Sequence, residues 1–218
     1  MNYLLMLMEI RSISDLDKFS LFIFDLDNTL YNERDYLFGA YSKIAADISS
    51  LYPSLSEDDL SENLKNIFLT EGRTNLFDKF LDMNNLEGEL LDDCLNVLRN
   101  YKAEKNIALN PRMREFLIYL RDKGKTLFVL TNGNPVQQRN KIRSINWNGL
   151  DENIEFIFAD ELEPKPSPEG LFYILKNTRT GKDDAIFIGD RDSDRECAAN
   201  GGITFLGIND LNDILKSS

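Results

Sequence analysis

From Asn110 to Leu206 the chain alternates short apolar runs with segments of helical period, joined by only a few residues each. That alternation leaves few folds open other than a parallel sheet built from βα units. The runs are Thr126 to Leu130, Ile154 to Ala159, Ala185 to Ile188 and Ile203 to Leu206, and an earlier one, Leu21 to Phe24, precedes them. Strands buried on both faces read as continuous apolar runs of this kind. Asn110-Pro111 supplies an N-cap and a proline at the first helical position, Met113, Phe116, Leu117 and Leu120 form one core-facing stripe, and Gly124 closes the helix. A helix from about residue 193 to 200, ended by Gly201-Gly202, leads into the last strand.

The stretch from 33 to 105 has a different texture. Leu, Phe and Tyr recur at helical spacing and β-branched runs are scarce. It predicts several helices and no strand, and it is too long for a loop within a compact domain. The expected organisation is therefore α/β: a three-layer Rossmann-like core with a mostly parallel sheet from residues 1–32 and 106–218, and an inserted α-helical cap domain from residues 33–105. A cap over the carboxyl ends of the strands would exclude water and select substrate. The first twenty residues are expected to form a short helix or extension on the core.

Chemistry concentrates where the strands end. In Phe24-Asp25-Leu26-Asp27-Asn28-Thr29 two carboxylates follow a buried strand one residue apart. Side chains alternate along extended backbone, so Asp25 and Asp27 leave on one side and can converge on a small volume. Ligands of open α/β sheets bind at the carboxyl ends of the strands. Paired like charges there require a cation or a proton. The second strand ends at Thr131-Asn132-Gly133, the third is followed by Pro164-Lys165-Pro166, and the fourth stops at Gly189-Asp190 with Asp194 four residues on. Together these residues make an acidic, metal-ready site with one positive charge and one hydroxyl.

Composition narrows the function further. The 218 residues carry 25 Lys and Arg against 37 Asp and Glu, a formal net charge of −12, which disfavours nucleic acid or an anionic membrane as partner. No window approaches the roughly 18 apolar residues of a membrane helix. Met1 to Met8 is apolar but lacks a basic leader, so the expected location is the cytoplasm. There is no His, which removes Ser-His-Asp and Cys-His catalysis and all His-ligated metal sites. Cys94 and Cys197 are far apart in sequence and read as reduced, buried thiols.

The set Asp25-x-Asp27-x-Thr29, Thr131, Lys165 and Gly189-Asp190-x-x-x-Asp194 resembles the four motifs of the haloacid dehalogenase superfamily of phosphohydrolases, in order and in spacing. The helical segment after the first motif is similar to the cap of the family's larger phosphatase branch. The resemblance implies a Mg²⁺-dependent hydrolase of a small phosphorylated metabolite, a sugar phosphate, phosphoglycolate or a nucleoside monophosphate. Asp25 would be the nucleophile and a metal ligand, Asp27 the general acid and base and, through its backbone carbonyl, a second ligand. Asp190 would supply a third ligand, with Asp194 supporting the metal site or holding Lys165. Thr131 and Lys165 would bind the transferring phosphoryl group, with Asn132 and Arg73 as further substrate contacts. Thr29 would shape the turn after the nucleophile.

Asp27 argues for phosphoryl transfer over carbon–halogen cleavage, because a dehalogenase would not need the second acid. A phosphomutase on the same scaffold and a non-catalytic phosphate-binding module are the alternatives; the missing His counts against the first and the intact acids against the second. In the cap, Gly72-Arg73-Thr74-Asn75-Leu76 loosely resembles the glycine-containing segment of pyrimidine nucleotidases in this superfamily. Phe38, Tyr41 and Phe77 could stack on a base, but their helical spacing fits core packing better. The chain departs from the family pattern at Arg191 and Asp192, where a small hydroxyl residue is usual after Gly189-Asp190.

Overall fold

A computed structural model describes residues 10–103 and 107–216. In chain order the elements begin with α1 (Ile13–Leu16), β1 (Leu21–Phe24), α2 (Glu33–Leu51), α3 (Glu57–Glu71), α4 (Leu76–Met83) and α5 (Leu90–Asn100). Next come β2 (Ile107–Ala108), α6 (Pro111–Asp122), β3 (Thr126–Thr131), α7 (Pro135–Ser144) and β4 (Ile145–Asn146). The chain continues through β5 (Ile154–Phe158), α8 (Glu169–Thr178), β6 (Ala185–Gly189), α9 (Asp192–Gly201), β7 (Thr204–Gly207) and α10 (Ile208–Lys216). The chain divides into two compact units: one of residues 1–31, 109–133 and 147–218, the other of residues 32–108 and 134–146.

The first unit is built on a five-stranded sheet in the order β5-β3-β1-β6-β7, with every neighbouring pair parallel. Counted along the chain, this is the third-second-first-fourth-fifth order of a doubly wound sheet, with its direction of progression reversing at β1. All four residues of β1 are buried, as a strand with neighbours on both edges and helices on both faces requires.

Alternation assigns the two faces. Leu21, Ile23, Phe128, Leu130, Ala185 and Phe187 pack in one cluster with Leu171, Ile174 and Leu175 of α8 and with Cys197 and Ala198 of α9. On the opposite face the rings of Phe22 and Phe24 meet Phe116 of α6 edge-on, with centroids 6.1 and 6.4 Å apart. Helix, sheet and helix thus form the three layers expected of the α/β core. The start of α6 follows the sequence: the Asn110 side chain accepts from the Arg112 N–H, and Pro111 stands in the first turn. Leu16 and Phe19 are buried, so the described part of the leading extension does pack into the core. The remainder of that expectation, over residues 1–9, lies outside the described residues.

The second unit is helical, as expected for the segment after the first strand. Asn32 and Ser56 cap α2 and α3 with their side-chain oxygens. Phe38, Tyr41, Phe68 and Phe77 form a chain of ring contacts with centroids 6.1 to 6.4 Å apart. Tyr41 and Phe77 are buried. These aromatics therefore make core. The Tyr101 ring lies against Gly39 of α2, where any Cβ would strike it, and the Tyr36 hydroxyl donates to the Tyr101 carbonyl at 2.7 Å.

The division of the chain differs from the expected boundaries chiefly at one segment, with residues 32 and 107–108 also falling in the helical unit. Residues 134–146, anticipated as core, belong with the helical unit. Lys141 of α7 explains this: its Nζ donates to Glu33 Oε1 at 2.7 Å, and both side chains are 2% exposed. The Asn140 side chain also donates to the Arg99 carbonyl, and β4 pairs with β2 in a two-stranded parallel ladder. A buried ion pair ties elements far apart in sequence, because removing Glu33 would strand the Lys141 charge away from water. No helix among the described residues is long and apolar enough to cross a membrane.

Phe116 is 2% exposed and carries the α6 side of the sheet. Phe116→Ala is expected to destabilise the protein by about 3–5 kcal/mol, the range for deleting a buried aromatic ring; chemical denaturation measures it.

Candidate active site

Every predicted site residue of the first unit comes from the carboxyl end of a strand, the loop that follows it or, for Asp194, the first turn of the next helix. Asp25 comes directly after β1, and its N–H donates to the Ile188 carbonyl of β6 at 2.9 Å. The chain then turns through Asn28, whose φ of 60° is left-handed, and Leu30 N–H donates back to the Leu26 carbonyl at 3.1 Å. Asn is among the few non-glycine residues that adopt this conformation readily. Thr29 lies inside that turn, 1% exposed, with no hydrogen-bond partner for its hydroxyl among the described residues. The turn also brings Tyr31 back over Asp27, and its hydroxyl donates to Asp27 Oδ1 at 2.6 Å.

Lys165 is the centre of the arrangement. Its Nζ donates to Asp25 Oδ1 at 2.6 Å and to the Leu130 carbonyl at 3.0 Å, and it pairs with Asp194 Oδ1 at 2.7 Å. Two hydrogen bonds and one close ion pair thus surround the ammonium. Burial works against the charge of Lys165, yet the Asp25 and Asp194 carboxylates outweigh it and hold the amine above its ordinary range. Lys165 is therefore a fixed cation and not a base.

Asp194 sits in the first turn of α9, fully buried, and accepts from the Arg191 N–H at 3.1 Å. Gly189 makes its position available: a Cβ there would lie 2.5 Å from Asp194 Oδ2 and 2.7 Å from Asp194 Cβ. The glycine before Asp190 thus serves a close approach, and its backbone needs no unusual torsion. Arg191 and Asp192, where the chain departs from the family pattern, are the residue before α9 and the first residue of α9.

One carboxylate oxygen each from Asp25, Asp190 and Asp194 lie within 4.8 Å of one another. With Asp27 beside them, four acids face the single ammonium of Lys165. Burial, reinforced by Asp194 and Asp27 and opposed by Lys165, pushes Asp25 up to about 7. Asp190 is raised too, by burial first and then by Asp194, against the pull of Arg191. An excess of desolvated carboxylates with oxygen donors only suits a hard divalent cation. The donor set fits a metal.

Thr131 ends β3 and is 1% exposed, and its hydroxyl lies 3.4 Å from the Asn132 carbonyl. Asn132 is turned onto Lys165: its Nδ2 donates to the Lys165 carbonyl and its Oδ1 accepts from the Lys165 N–H, both at 2.8 Å. Arg73 belongs to the helical unit, where its guanidinium pairs with Glu33. It borders a pocket of about 150 Å³ with Tyr41, Leu76, Phe77, Leu98 and Gln137. Cys94 and Cys197 are free and buried, and burial pushes both thiols up to about 11.

The chain belongs to the haloacid dehalogenase-like hydrolases, whose family model matches residues 22–208. Enzymes of this family generally use a metal ion. Among curated proteins, the glyceraldehyde 3-phosphate phosphatase of Pyrococcus abyssi is 34% identical over 83 residues, 37% of this chain and 34% of that protein. The phosphoglycolate phosphatase of Pseudomonas savastanoi pv. phaseolicola is 25% identical over 132 residues, 59% of this chain and 47% of that protein. The chain thus spans between a third and a half of the length of these relatives. In fold it is similar to a haloacid dehalogenase superfamily hydrolase, subfamily IA, of Geobacter sulfurreducens, with a TM-score of 0.63 at 20% identity over 91% of this chain and 97% of the other.

Two contacts were outside the reach of sequence reasoning. The Tyr31 bond to Asp27 has a local signal, an aromatic hydroxyl four residues on, but nothing in the pattern distinguishes Tyr31 from a core aromatic. The bonds of Asn132 to Lys165 join residues 33 apart in sequence, and only the side-by-side pairing of β3 and β5 places the two loops together.

The Asp25 shift carries a definite sign. Its carboxyl ionises near 3.8 ordinarily and near 7 when folded, so the folded chain holds this proton more tightly. Stability is then lost as pH rises from about 4 through 7. With divalent cations removed by EDTA, thermal melts at pH 5 and pH 7.5 are expected to show a smaller drop for Asp25→Asn than for the wild type. Equal drops would show that Asp25 is not the group responsible.

Proposed function

We propose that this protein is a Mg²⁺-dependent phosphatase of a small phosphomonoester, acting through an aspartyl-phosphate on Asp25. The observation that carries the reading is the Asp25 carboxylate at the reversal point of the sheet, paired with Lys165 at 2.6 Å inside a cluster of three acids. A phosphomonoester dianion repels an anionic nucleophile, so attack needs positive charge on both partners. Asp25 and Asp190 would hold Mg²⁺ together with the Asp27 backbone carbonyl, with Asp194 in support. When bound, the ion neutralises part of the charge on the nucleophile and on the phosphoryl oxygens.

The protein's own groups divide the remaining work. Lys165 favours the ionised form of Asp25 against the effect of burial and offers positive charge where the phosphoryl oxygens gather it, with the Thr131 hydroxyl as a second contact. An Asp25 oxygen attacks phosphorus, and the ester oxygen leaves with a proton from Asp27. Asp27 then takes a proton from water as that water attacks the phosphorus, which frees Asp25 and inorganic phosphate. The Tyr31 hydroxyl holds the Asp27 carboxyl in one orientation for both transfers. The helical unit acts as the cap, and Arg73 is its candidate contact for the non-reacting part of the substrate.

The names of the two curated relatives, one a phosphatase of glyceraldehyde 3-phosphate and the other of phosphoglycolate, support a substrate of two or three carbons. The net charge of −12 supports a small-molecule partner over nucleic acid or membrane, in keeping with a cytoplasmic enzyme.

Phosphate release from p-nitrophenyl phosphate and a panel of small esters, with Mg²⁺ and with EDTA, tests the reading. Metal-dependent turnover should fall by about 10⁴-fold or more in Asp25→Asn and by about 10²–10⁴-fold in Asp27→Asn, with far-UV circular dichroism unchanged. Retained turnover in either variant would remove the assigned mechanism. Transfer to a second substrate hydroxyl, with no free phosphate, would make the protein a mutase. Lys165→Met should lower kcat by about 10²–10³-fold, as loss of one oxyanion donor does; a normal rate would take Lys165 out of the reaction.

A further inference from the structure

Lys165 stands between two prolines, Pro164 and Pro166. Neither proline nitrogen can donate a hydrogen bond, so Lys165 contributes the one backbone N–H of this tripeptide. No strand ladder can hold such a loop. The Asn132 amide supplies the missing constraint, taking that N–H on its oxygen and giving its own N–H to the Lys165 carbonyl, each at 2.8 Å. A planar amide bound to both polar groups of one residue fixes the peptide planes on either side of it. The flank toward α9 is held as well: Asn200 Nδ2 donates to the Pro166 carbonyl at 3.0 Å, and Cys197 Sγ donates to the Ser167 carbonyl at 3.1 Å. Gly133, the residue after Asn132, is tied down in turn by its N–H, which donates to Asp160 Oδ1 at 2.8 Å.

We propose that Asn132 is a positioning residue that acts through Lys165, and not a substrate contact. Its role in turnover rests on the phosphatase reading; its hold on Lys165 does not. One of the amide's two N–H groups and its oxygen are both engaged on Lys165, which fixes the plane of the side chain on that residue and leaves only the second N–H for any other contact. Releasing the backbone of Lys165 lets the ammonium drift from Asp25, and misplacement by about 1 Å can cost two orders of magnitude in rate. Asn fits this task because it has one methylene; Gln would overshoot the Lys165 peptide by a further carbon.

The experiment pairs Asn132→Ala and Asn132→Asp with Lys165→Met. Reductive methylation of the folded protein, read by mass spectrometry, reports the hold on Lys165 directly. In Asn132→Ala, Lys165 should be methylated several-fold faster than in the wild type while Lys141, equally buried, keeps its protection. Asn132→Asp retains the oxygen for the Lys165 N–H and loses the donor to its carbonyl, so it should fall between the two. If both lysines label in the Ala variant, that variant has unfolded and the Asp variant decides: faster labelling of Lys165 alone supports the proposal, and unchanged labelling overturns it.

Turnover supplies the second readout. Asn132→Ala should lower kcat by about 10–100-fold with KM little changed, and should cost nothing further in a Lys165→Met background. A full additional penalty in that background, with KM raised, would make Asn132 a substrate contact and overturn the proposal. If the wild type turns over no phosphomonoester, the functional reading fails, and the labelling result still decides whether Asn132 holds Lys165.

Discussion

The contacts of the buried Lys165 ammonium are the interaction around which the strand ends of the first unit are organised. Three strands and a helix contribute to its surroundings: Asp25 after β1, the Leu130 carbonyl in β3, the loop after β5 that carries Lys165 itself, and Asp194 in α9. A lysine is tolerated in such a place only when its protons are all accepted and its charge is balanced. Asp25 and the Leu130 carbonyl accept its hydrogen bonds, and Asp25 and Asp194 balance its charge. The two carboxylates also bring more negative charge than one lysine neutralises, and with Asp27 and Asp190 that excess suits a hard metal ion.

Much of the nearby chain can be understood as service to that lysine. Gly189 lacks a side chain because Asp194 lies where its Cβ would be. Asn132 holds the Lys165 backbone from one side, while Asn200 and Cys197 hold the following residues from the other. Cys197, with a thiol pushed up to about 11 by burial, is a hydrogen-bonding core residue and no nucleophile. Phe187 lies beneath the ammonium, with its ring centroid 5.4 Å from Nζ, and closes the site against the apolar core.

The helical unit has a buried ion pair of its own. Glu33 opens α2, Lys141 lies in α7, and the pair draws residues 134–146 into the helical unit although they follow directly on β3. Here the expected boundary and the observed one part company. α7 has the length and capping of an ordinary crossover helix, with Asn134 and Pro135 at its start, so sequence pattern assigned it to the core. Its buried side includes Gln138, Asn140 and Lys141, which is a poor face for a sheet and a good one for a polar seam with Glu33 and Arg99. A partner for those polar groups exists only once α2 and α5 are folded.

The residues of the chain by themselves determined the class of fold and which polar groups emerge at the ends of its strands. Apolar runs without polar interruption demand burial on both faces, and an acid, a hydroxyl or a lysine directly after such a run has to emerge at the end of the sheet. Local patterning carries that much because strand period, helix caps and chain direction are short-range properties. Tertiary structure decided what those groups touch: that Lys165 reaches both Asp25 and Asp194, that Asn132 faces the Lys165 backbone, that Tyr31 bonds to Asp27, and that α7 joins the helical unit. Each of these depends on strand order or on helix packing. Hydrogen bonds and ion pairs act over a few ångströms, and only the folded chain brings residues 33, 108 or 140 positions apart in sequence within that range.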